Sequence, residues 1–508
     1  MVSCYSCGIS GIDAYIVNIE ADLVRALPSY DVVGLADTAI KESKERVRSG
    51  IKNSGFEFPA KKLTLNLAPA AIKKDGTHYD LAMAIAVLGT FENINIENLQ
   101  KYAVLGELSL SGDVRPVSGI LPMADKAYEE GFLNIIVPED NKNEAALIPN
   151  LNVYPVKTLR DAIEIINGEA DVFPYINEID YNLSDYDRLL DFSDVRGQDA
   201  AKRALEIACA GGHSCLMIGT PGSGKTMLAK RVPGILPPLT FKEAMAVTKI
   251  YSVAGMIKKN SPLITTRPFR ALHHTASQVS LTGGSGKAKP GEISLAHNGV
   301  LFLDELPEFK REALEVLRQP LEDKSITITR VQRTATYPCN FMVIAALNPC
   351  PCGNWGSDVK ECNCTMDQIK KYQKKISGPL LDRIDIQIEV PAVKYKEIAS
   401  NEKSEPTTAI RKRILKARDI QSERYKNTNI TTNADLTTPL IKELCHLTDE
   451  ANAMLKSAFE ALGLSARGYT KIIKVARTIA DLENETDISG MHIAEAIQYR
   501  ELTEKYFK

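Results

Sequence analysis

The chain lacks the marks of several protein classes. No apolar run among its 508 residues approaches the roughly 18 needed to cross a bilayer, and its start has no basic stretch leading into an apolar one. These absences set the expectation of a cytoplasmic protein with no membrane partner. No sign of charge is in excess: 62 Lys and Arg face 64 Asp and Glu, a formal net charge of −2. That excludes a chain coated in positive charge for nucleic acid, so any such binding must use local basic elements. Ten cysteines are too few for a disulfide scaffold in so long a chain. In a reducing compartment, clustered cysteines more often mean metal. Neither an internal repeat nor a low-complexity tract is present. Hydrophobic residues at 44% and charged residues at 25% exclude a wholly disordered or collagen-like chain.

What is present divides into zones. At roughly 150 residues per domain, the length suggests about three domains. Residues 1–166 alternate strand-like and helical stretches, such as Leu63 to Leu67, the apolar run Leu81 to Leu88, and a buried strand at 134–138. Residues 167–191 are acidic and aromatic without periodicity and read as a linker. Residues 192–395 alternate helices and strands around Gly-rich turns, an α/β pattern. Residues 406–508 read as helical, with Ile410, Ile414 and Ala417 on one face and Ile472, Ile473, Ala476, Ile479 and Ala480 on another.

The chemistry concentrates in the third zone. The apolar strand 215–218 runs into Gly219-Thr220-Pro221-Gly222-Ser223-Gly224-Lys225-Thr226, a full G-x-x-x-x-G-K-[ST] match that opens a helix. Glycines let backbone N–H groups close around a phosphate, and the helix dipole adds to them. Lys225 then reaches the β- and γ-phosphates of ATP, and the Thr226 hydroxyl ligates Mg2+. A second apolar strand, 299–303, ends in Asp304 and Glu305. Asp304 would hold Mg2+ through water, and Glu305 would polarise the attacking water. Asn348 follows the apolar strand 341–347, where an amide can orient that water. Arg383 is a candidate arginine finger, or an ion-pair partner of Asp382 or Asp385. Arg467 precedes a helix and is a candidate γ-phosphate contact, or a solvated arginine at a helix start.

Cys350, Cys352, Cys362 and Cys364 form two C-x-C pairs nine residues apart. Four thiolates suit a structural Zn2+, although one residue within each pair is fewer than the usual spacing. Four free thiols and an iron–sulfur cluster are the alternatives. Cys4 and Cys7 have no partner pair and read as structural or incidental. His273 and His274 read as a packing or nucleic-acid feature. The stretch 324–338 carries Lys324, Arg330 and Arg333 with no acid and reads as a hairpin turning near 331–332. Such a hairpin can grip a phosphate backbone, lie solvated on the surface, or contact another subunit. Residues 281–291 are Gly-rich, flexible and basic through Lys287 and Lys289.

The order of these motifs resembles an AAA+ ATPase of the magnesium-chelatase-like group. Across essentially the whole chain it resembles the ComM/YifB family. The stretches DVVGL (31–35) with KESKERVR (41–48), NLAPA (66–70), NPCPCG (348–353) and SGPLLDRID (377–385) carry the likeness. The resemblance implies an AAA+ P-loop domain with a helical lid, preceded by a Lon-protease-like α+β domain. It implies sensor 1 at Asn348, an arginine finger at Arg383 and sensor 2 at Arg467. It also implies a self-assembled ring, a hexamer, since a finger must reach a neighbour's nucleotide. The hairpin corresponds to a presensor-1 hairpin projecting into the ring's channel, and the Gly-rich stretch to a helix-2 insert. The family's role is DNA branch migration in natural transformation, on single-stranded or branched DNA, with recombination proteins as further candidate partners. The competing class is an AAA+ motor that remodels a protein. A Lon-like peptidase needs a Ser–Lys dyad. Here His78 stands at the serine position and Leu121 at the lysine position, so peptidase activity is not expected. A scaffold or DNA-binding role remains for this domain.

Overall fold

The computed structural model describes residues 1–176, 189–258, 261–284, 288–330, 333–357, 360–393, 404–461 and 463–507. Its N-terminal part contains β1 (Val2–Ser10), β2 (Asp13–Val24), β3 (Ser29–Val33), β4 (Lys62–Ala68), β5 (Tyr102–Val104), β6 (Glu107–Leu108), β7 (Val114–Arg115), β8 (Asn134–Pro138) and β9 (Asn152–Val156). Seven of these form one mixed sheet in the order β3-β4-β2-β1-β5-β8-β9, while β6 and β7 make a separate ribbon. Helix α1 (Thr38–Asn53) starts on Asp37, whose carboxylate accepts from the Ile40 N–H at 2.9 Å. The apolar run 81–88 lies in α2 (Asp80–Leu88), every residue of which is buried. Strand alternation sends Cys4 and Cys7 of β1 into different cores, on opposite faces of the sheet. They cannot share a metal.

The second part is organised by a five-stranded parallel sheet. Its strands are β10 (Cys215–Ile218), β11 (Phe269–Leu272), β12 (Val300–Leu303), β15 (Met342–Leu347) and β16 (Ile386–Glu389), in the order β11-β12-β15-β10-β16. The other two strands, β13 (Ser325–Arg330) and β14 (Arg333–Pro338), form an antiparallel hairpin with Arg330 opposite Arg333. The turn expected at 331–332 lies outside the described residues. Strands β10, β12 and β15 are apolar without alternation and buried at every position, as strands covered on both faces must be. Because the sheet is parallel, the loops after β10, β12 and β15 open on one edge, the usual ligand edge of such sheets. The residues just before β16 lie on the other edge, where the Ile386 N–H donates to the Ser214 carbonyl at 3.1 Å. Four strand residues at roughly 3.3 Å each separate the two edges by about 13 Å.

Helices α4 (Asp199–Gly211), α5 (Lys225–Ala229) and α6 (Phe241–Ala254) pack around this sheet, and α7 (Met366–Gln373) follows the cysteine loop. The α3 helix (Ile120–Glu129) of the first part packs on α6, with Ala244 and Val247 joining Ile120 and Leu121 in one core. The Lys249–Asp125 ion pair and the Ser252–Glu144 hydrogen bond close the same seam. The first part is therefore docked on the P-loop part and not merely tethered to it. Both ends of the stretch 167–191, expected as a linker, are tied to the flanking domains. Tyr175 donates its N–H to Val153 at 2.7 Å, and Asp191 accepts from Ser193 and Thr407, while 177–188 lie outside the described residues.

The long helices of the lid are α8 (Thr407–Arg424), α9 (Asp449–Ala461), α10 (Ala466–Glu483) and α11 (Gly490–Phe507), with a short helical turn at Thr438–Leu444 between the first two. The apolar faces expected on α8 and α10 are buried against the core. Inside the lid, the fully buried Arg477 pairs with Asp481 at 3.1 Å, and Arg424 reaches the same carboxylate. Removing one member of such a buried set leaves an uncompensated charge, at a cost of about 3–5 kcal/mol. His213 ties lid to sheet, bonding Thr478 at 2.8 Å and Asp385 at 3.1 Å.

Candidate functional site

The loop between β10 and α5 is shaped by two glycines with different duties. Gly224 begins α5 at φ +93°, a conformation in which a Cβ would be strained. A Cβ on Gly219 would lie 2.3 Å from the Val390 carbonyl oxygen, so the loop passes β16 only without one. Lys225 is buried. Its ammonium donates to the carbonyls of Gly219 (2.7 Å) and Thr220 (2.9 Å) and to Asn348 Oδ1 (3.2 Å). Burial pushes its pKa down to about 8, with Asp304 and Glu305 acting against that shift. The Thr226 hydroxyl donates to Asp304 Oδ2 at 2.7 Å. Glu305 sits at φ +53° with its carboxylate half exposed, 3.2 Å from His274 Nδ1. One edge of the sheet thus gathers Lys225, Thr226, Asp304, Glu305 and Asn348. These are the groups needed to hold a triphosphate, a hard cation and an attacking water.

The two candidate arginines are on the other edge. Arg383 pairs with Glu322 Oε1 at 2.6 Å and donates to the Pro379 carbonyl at 2.7 Å. Arg467 reaches the same Glu322 oxygen at 3.3 Å. Neither Asp382 nor Asp385 is the partner of Arg383. Asp385 is taken by Lys471 at 2.6 Å and by His213. Burial would raise the Asp385 carboxyl, but the Lys471 ammonium and the His213 hydrogen bond outweigh it and hold it well below the usual range. A cavity of 530 Å³ opens here between sheet and lid, lined by Arg383, Arg467, Lys471 and Lys474 with Glu322 and Asp435. Arg467 and Arg383 thus stand together and apart from the chain's own P-loop.

The four clustered cysteines converge, with all four sulfurs within 4.8 Å of one another. The Sγ distances are 3.4 Å (Cys350 to Cys352), 3.7 Å (Cys350 to Cys362) and 3.6 Å (Cys352 to Cys362). Tetrahedral zinc with Zn–S near 2.3 Å requires S···S of about 3.8 Å, so the donor set fits that ion. The Trp355 N–H donates to Cys350 Sγ at 3.3 Å, the kind of outer hydrogen bond that orients a ligating thiolate. The loop also touches the P-loop: a Cβ on Gly353, at φ +81°, would come within 2.5 Å of the Pro221 ring.

Of the candidate DNA contacts, Lys324 is the one drawn away. It lies at the foot of the hairpin in the left-handed region, ion-paired to Asp435 of the lid. Lys289 is exposed beside the neck of the Gly-rich insertion, and Lys287 lies outside the described residues. The neck departs from the flexible loop expected. Gly283 bridges Pro290, Ala288 is buried, and Tyr337 of β14 donates to the Ala288 carbonyl at 2.9 Å. The neck of the insertion and strand β14 of the hairpin are packed together. The β1–β2 turn also reaches this unit, since a Cβ on Gly11 would sit 3.2 Å from Ala335 of β14.

Sequence reasoning missed three residues. Gln198 clamps the loop, donating to the carbonyls of Ser223 (3.2 Å) and Pro391 (2.6 Å). His274 meets Glu305 because β11 and β12 run in register, Leu272 opposite Leu303. Glu322 holds both arginines. Only the His274 contact had a usable signal, a polar residue two positions past a strand, and even that needs the strand order.

These features define a P-loop ATPase module of the magnesium-chelatase type, carried with a second domain and a helical lid. Family models for magnesium chelatase subunit ChlI match residues 191–398 and 19–141, and its C-terminal model matches 404–500. The competence protein ComM of Haemophilus influenzae is 41% identical over 500 residues, covering 98% of this chain and 96% of that protein. YifB of Escherichia coli is 40% identical over 498 residues, covering 96% and 95%. An archaeal Lon protease of Thermococcus kodakarensis is 29% identical over 139 residues, 26% of this chain. The chain belongs to the ComM/YifB family of magnesium-chelatase-like AAA+ ATPases. Membership implies ATP and Mg2+. No helix among the described residues is long and apolar enough to cross a membrane.

The Gly353 contact yields a prediction. Gly353→Ala strains a left-handed residue and presses on Pro221, which is expected to weaken ATP binding about tenfold, from about 1–3 kcal/mol of overpacking, with the four cysteines intact. Titration with a fluorescent ATP analogue checks this. An unchanged Kd would show that the cysteine loop and the P-loop are independent.

Proposed function

We propose that this chain is an ATP-hydrolysing ring motor acting on DNA, a branch-migration helicase that works as a hexamer and supports recombination during natural transformation. The observation that carries the ring is the placement of Arg383 and Arg467 on the sheet edge opposite Lys225. A nucleotide on one chain then receives its two arginines from a neighbour. Within a chain, Lys225 and the loop N–H groups bind the phosphates, Glu305 takes the proton of the attacking water, and Asn348 orients it. Thr226 and Asp304 would hold Mg2+, which neutralises phosphate charge when bound. His274 orients Glu305.

The DNA reading is supported by the acid-free hairpin with Arg330 and Arg333, by its packing against the insertion that bears Lys287 and Lys289, and by the name of the Haemophilus relative. Several copies around a ring would line a channel with cations that track a backbone without reading bases. The N-terminal domain, with His78 and Leu121 at the two dyad positions, serves as a scaffold against the hairpin. Cys350, Cys352, Cys362 and Cys364 would hold a structural Zn2+, closing a loop too polar to form its own core.

The decisive experiment compares ATP turnover with branched, single-stranded and duplex DNA over a salt series. Branched or single-stranded DNA is expected to stimulate turnover. Replacing Arg330 and Arg333 with Ala should flatten the log–log salt slope of DNA binding by about one per arginine. Absence of any DNA stimulation or binding in the parent chain would favour a protein-remodelling motor instead. Metal analysis of chelator-free protein is expected to give about one zinc per chain, lost in Cys362→Ser. Finding iron, or no metal, would remove the zinc assignment.

A further inference from the structure

The surface beyond the cysteine loop has no part in the site described so far. Cys364 is followed at once by Thr365, which caps α7 in a reciprocal box with Gln368. The cysteine cluster therefore fixes where this helix begins. Ile369, Tyr372 and Ile376 turn inward, which leaves Lys370, Lys371, Lys374 and Lys375 exposed on the outer side. Lys370 and Lys374, and likewise Lys371 and Lys375, stand at i,i+4, where like charges repel. Lys375 is ion-paired with Glu308 at 3.3 Å; Lys370, Lys371 and Lys374 have no ion pair among the described residues. A groove of 680 Å³ runs along these lysines, and with Arg311 it has five cations against two acids, Glu308 and Asp367.

A second groove of 710 Å³ adjoins it, sharing Arg311, Lys370 and Lys374 and adding Trp355, Tyr506 and Phe507. Trp355 is the chain's only tryptophan; it lies within the cysteine loop and meets Tyr506 edge-on at 5.2 Å. Cations that follow a backbone beside aromatic rings that accept bases are the pairing by which proteins hold single strands without sequence preference. An acidic protein segment would satisfy the lysines but would have no use for the aromatic groove.

We infer that the groove between α7 and the cysteine loop is a second nucleic-acid site, which holds a single strand of DNA by its phosphates on Lys370, Lys371 and Lys374 and by base contact at Trp355. The inference rests on the reading of the chain as a DNA motor and adds a contact outside the hairpin. The cysteine cluster serves as the rigid mount of this site.

The sole tryptophan makes the test direct. Oligothymidylate is added to the full-length, metal-loaded chain, and Trp355 fluorescence is followed over a salt series. Binding is expected to change the emission. Lys370→Gln, Lys371→Gln and Lys374→Gln combined should flatten the log–log salt slope by about 2, at roughly 0.7 per single-strand contact. The matching triple change to Arg should restore it, and zinc content reports that both variants retain the loop. DNA binding by the parent with no change in Trp355, or a Gln variant with the parental slope, would overturn this site and leave the motor reading standing. A parent that binds no DNA at all would overturn both. Displacement of oligothymidylate by polyglutamate at equal residue concentration would also overturn the proposal, and assign the groove to an acidic protein.

Discussion

One carboxylate, Glu322, holds Arg383 and Arg467 together on the edge of a parallel sheet that faces away from Lys225. The arrangement follows from strand direction. Loops after β10, β12 and β15 must open on one edge, and the segment entering β16 must lie on the other, about 13 Å away. No side-chain rotation carries either guanidinium across that distance to the chain's own loop. The P-loop groups and the arginines thus stand on opposite edges of one body, and the ring proposed above would make them half-sites that meet only between copies. Docking of the lid by His213, Asp385 and Lys471 places Arg467 beside Arg383, so in the proposed ring the lid would serve the neighbour's nucleotide as well as its own core.

The first half-site is braced from several directions. Gln198 fastens the loop to the end of β16, and Gly353 lets the cysteine loop lie against Pro221. A single residue, Pro349, separates Asn348 from Cys350, so the group that meets Lys225 is also the root of the cysteine loop. Whatever orders the four thiols therefore also orders the nucleotide pocket. At the other end, the β1–β2 turn, the insertion neck and the β13–β14 hairpin pack on one another, which couples the N-terminal domain to the hairpin's position.

How much of this was legible in the sequence depends on what each feature needs. The P-loop and the Asp304–Glu305 strand were legible because their chemistry demands fixed residue types at short, fixed spacing. Strand period explains why Cys4 and Cys7 part company. Glu322, Gln198 and His274 were not legible, since their roles depend on strand order and on which edge a loop leaves. Their partners lie far along the chain. The alternative offered for Arg383, a pair with Asp382 or Asp385, failed for the same reason: nearness in sequence does not decide which carboxylate a β-strand entrance faces. Lys324 read as one of a basic set, yet the lid claims it through Asp435. The four cysteines were legible as a cluster. Their contact with Pro221 and the lysines mounted behind them emerged only from the fold.

The central claim is that one chain cannot complete its own hydrolytic site, and dilution tests it most directly. ATP turnover per chain is measured while protein concentration is lowered through the range in which sedimentation shows the assembly dissociating. The account predicts that turnover per chain falls with the oligomer fraction and nearly vanishes for the monomer. Turnover per chain that stays constant into the monomeric range would contradict it.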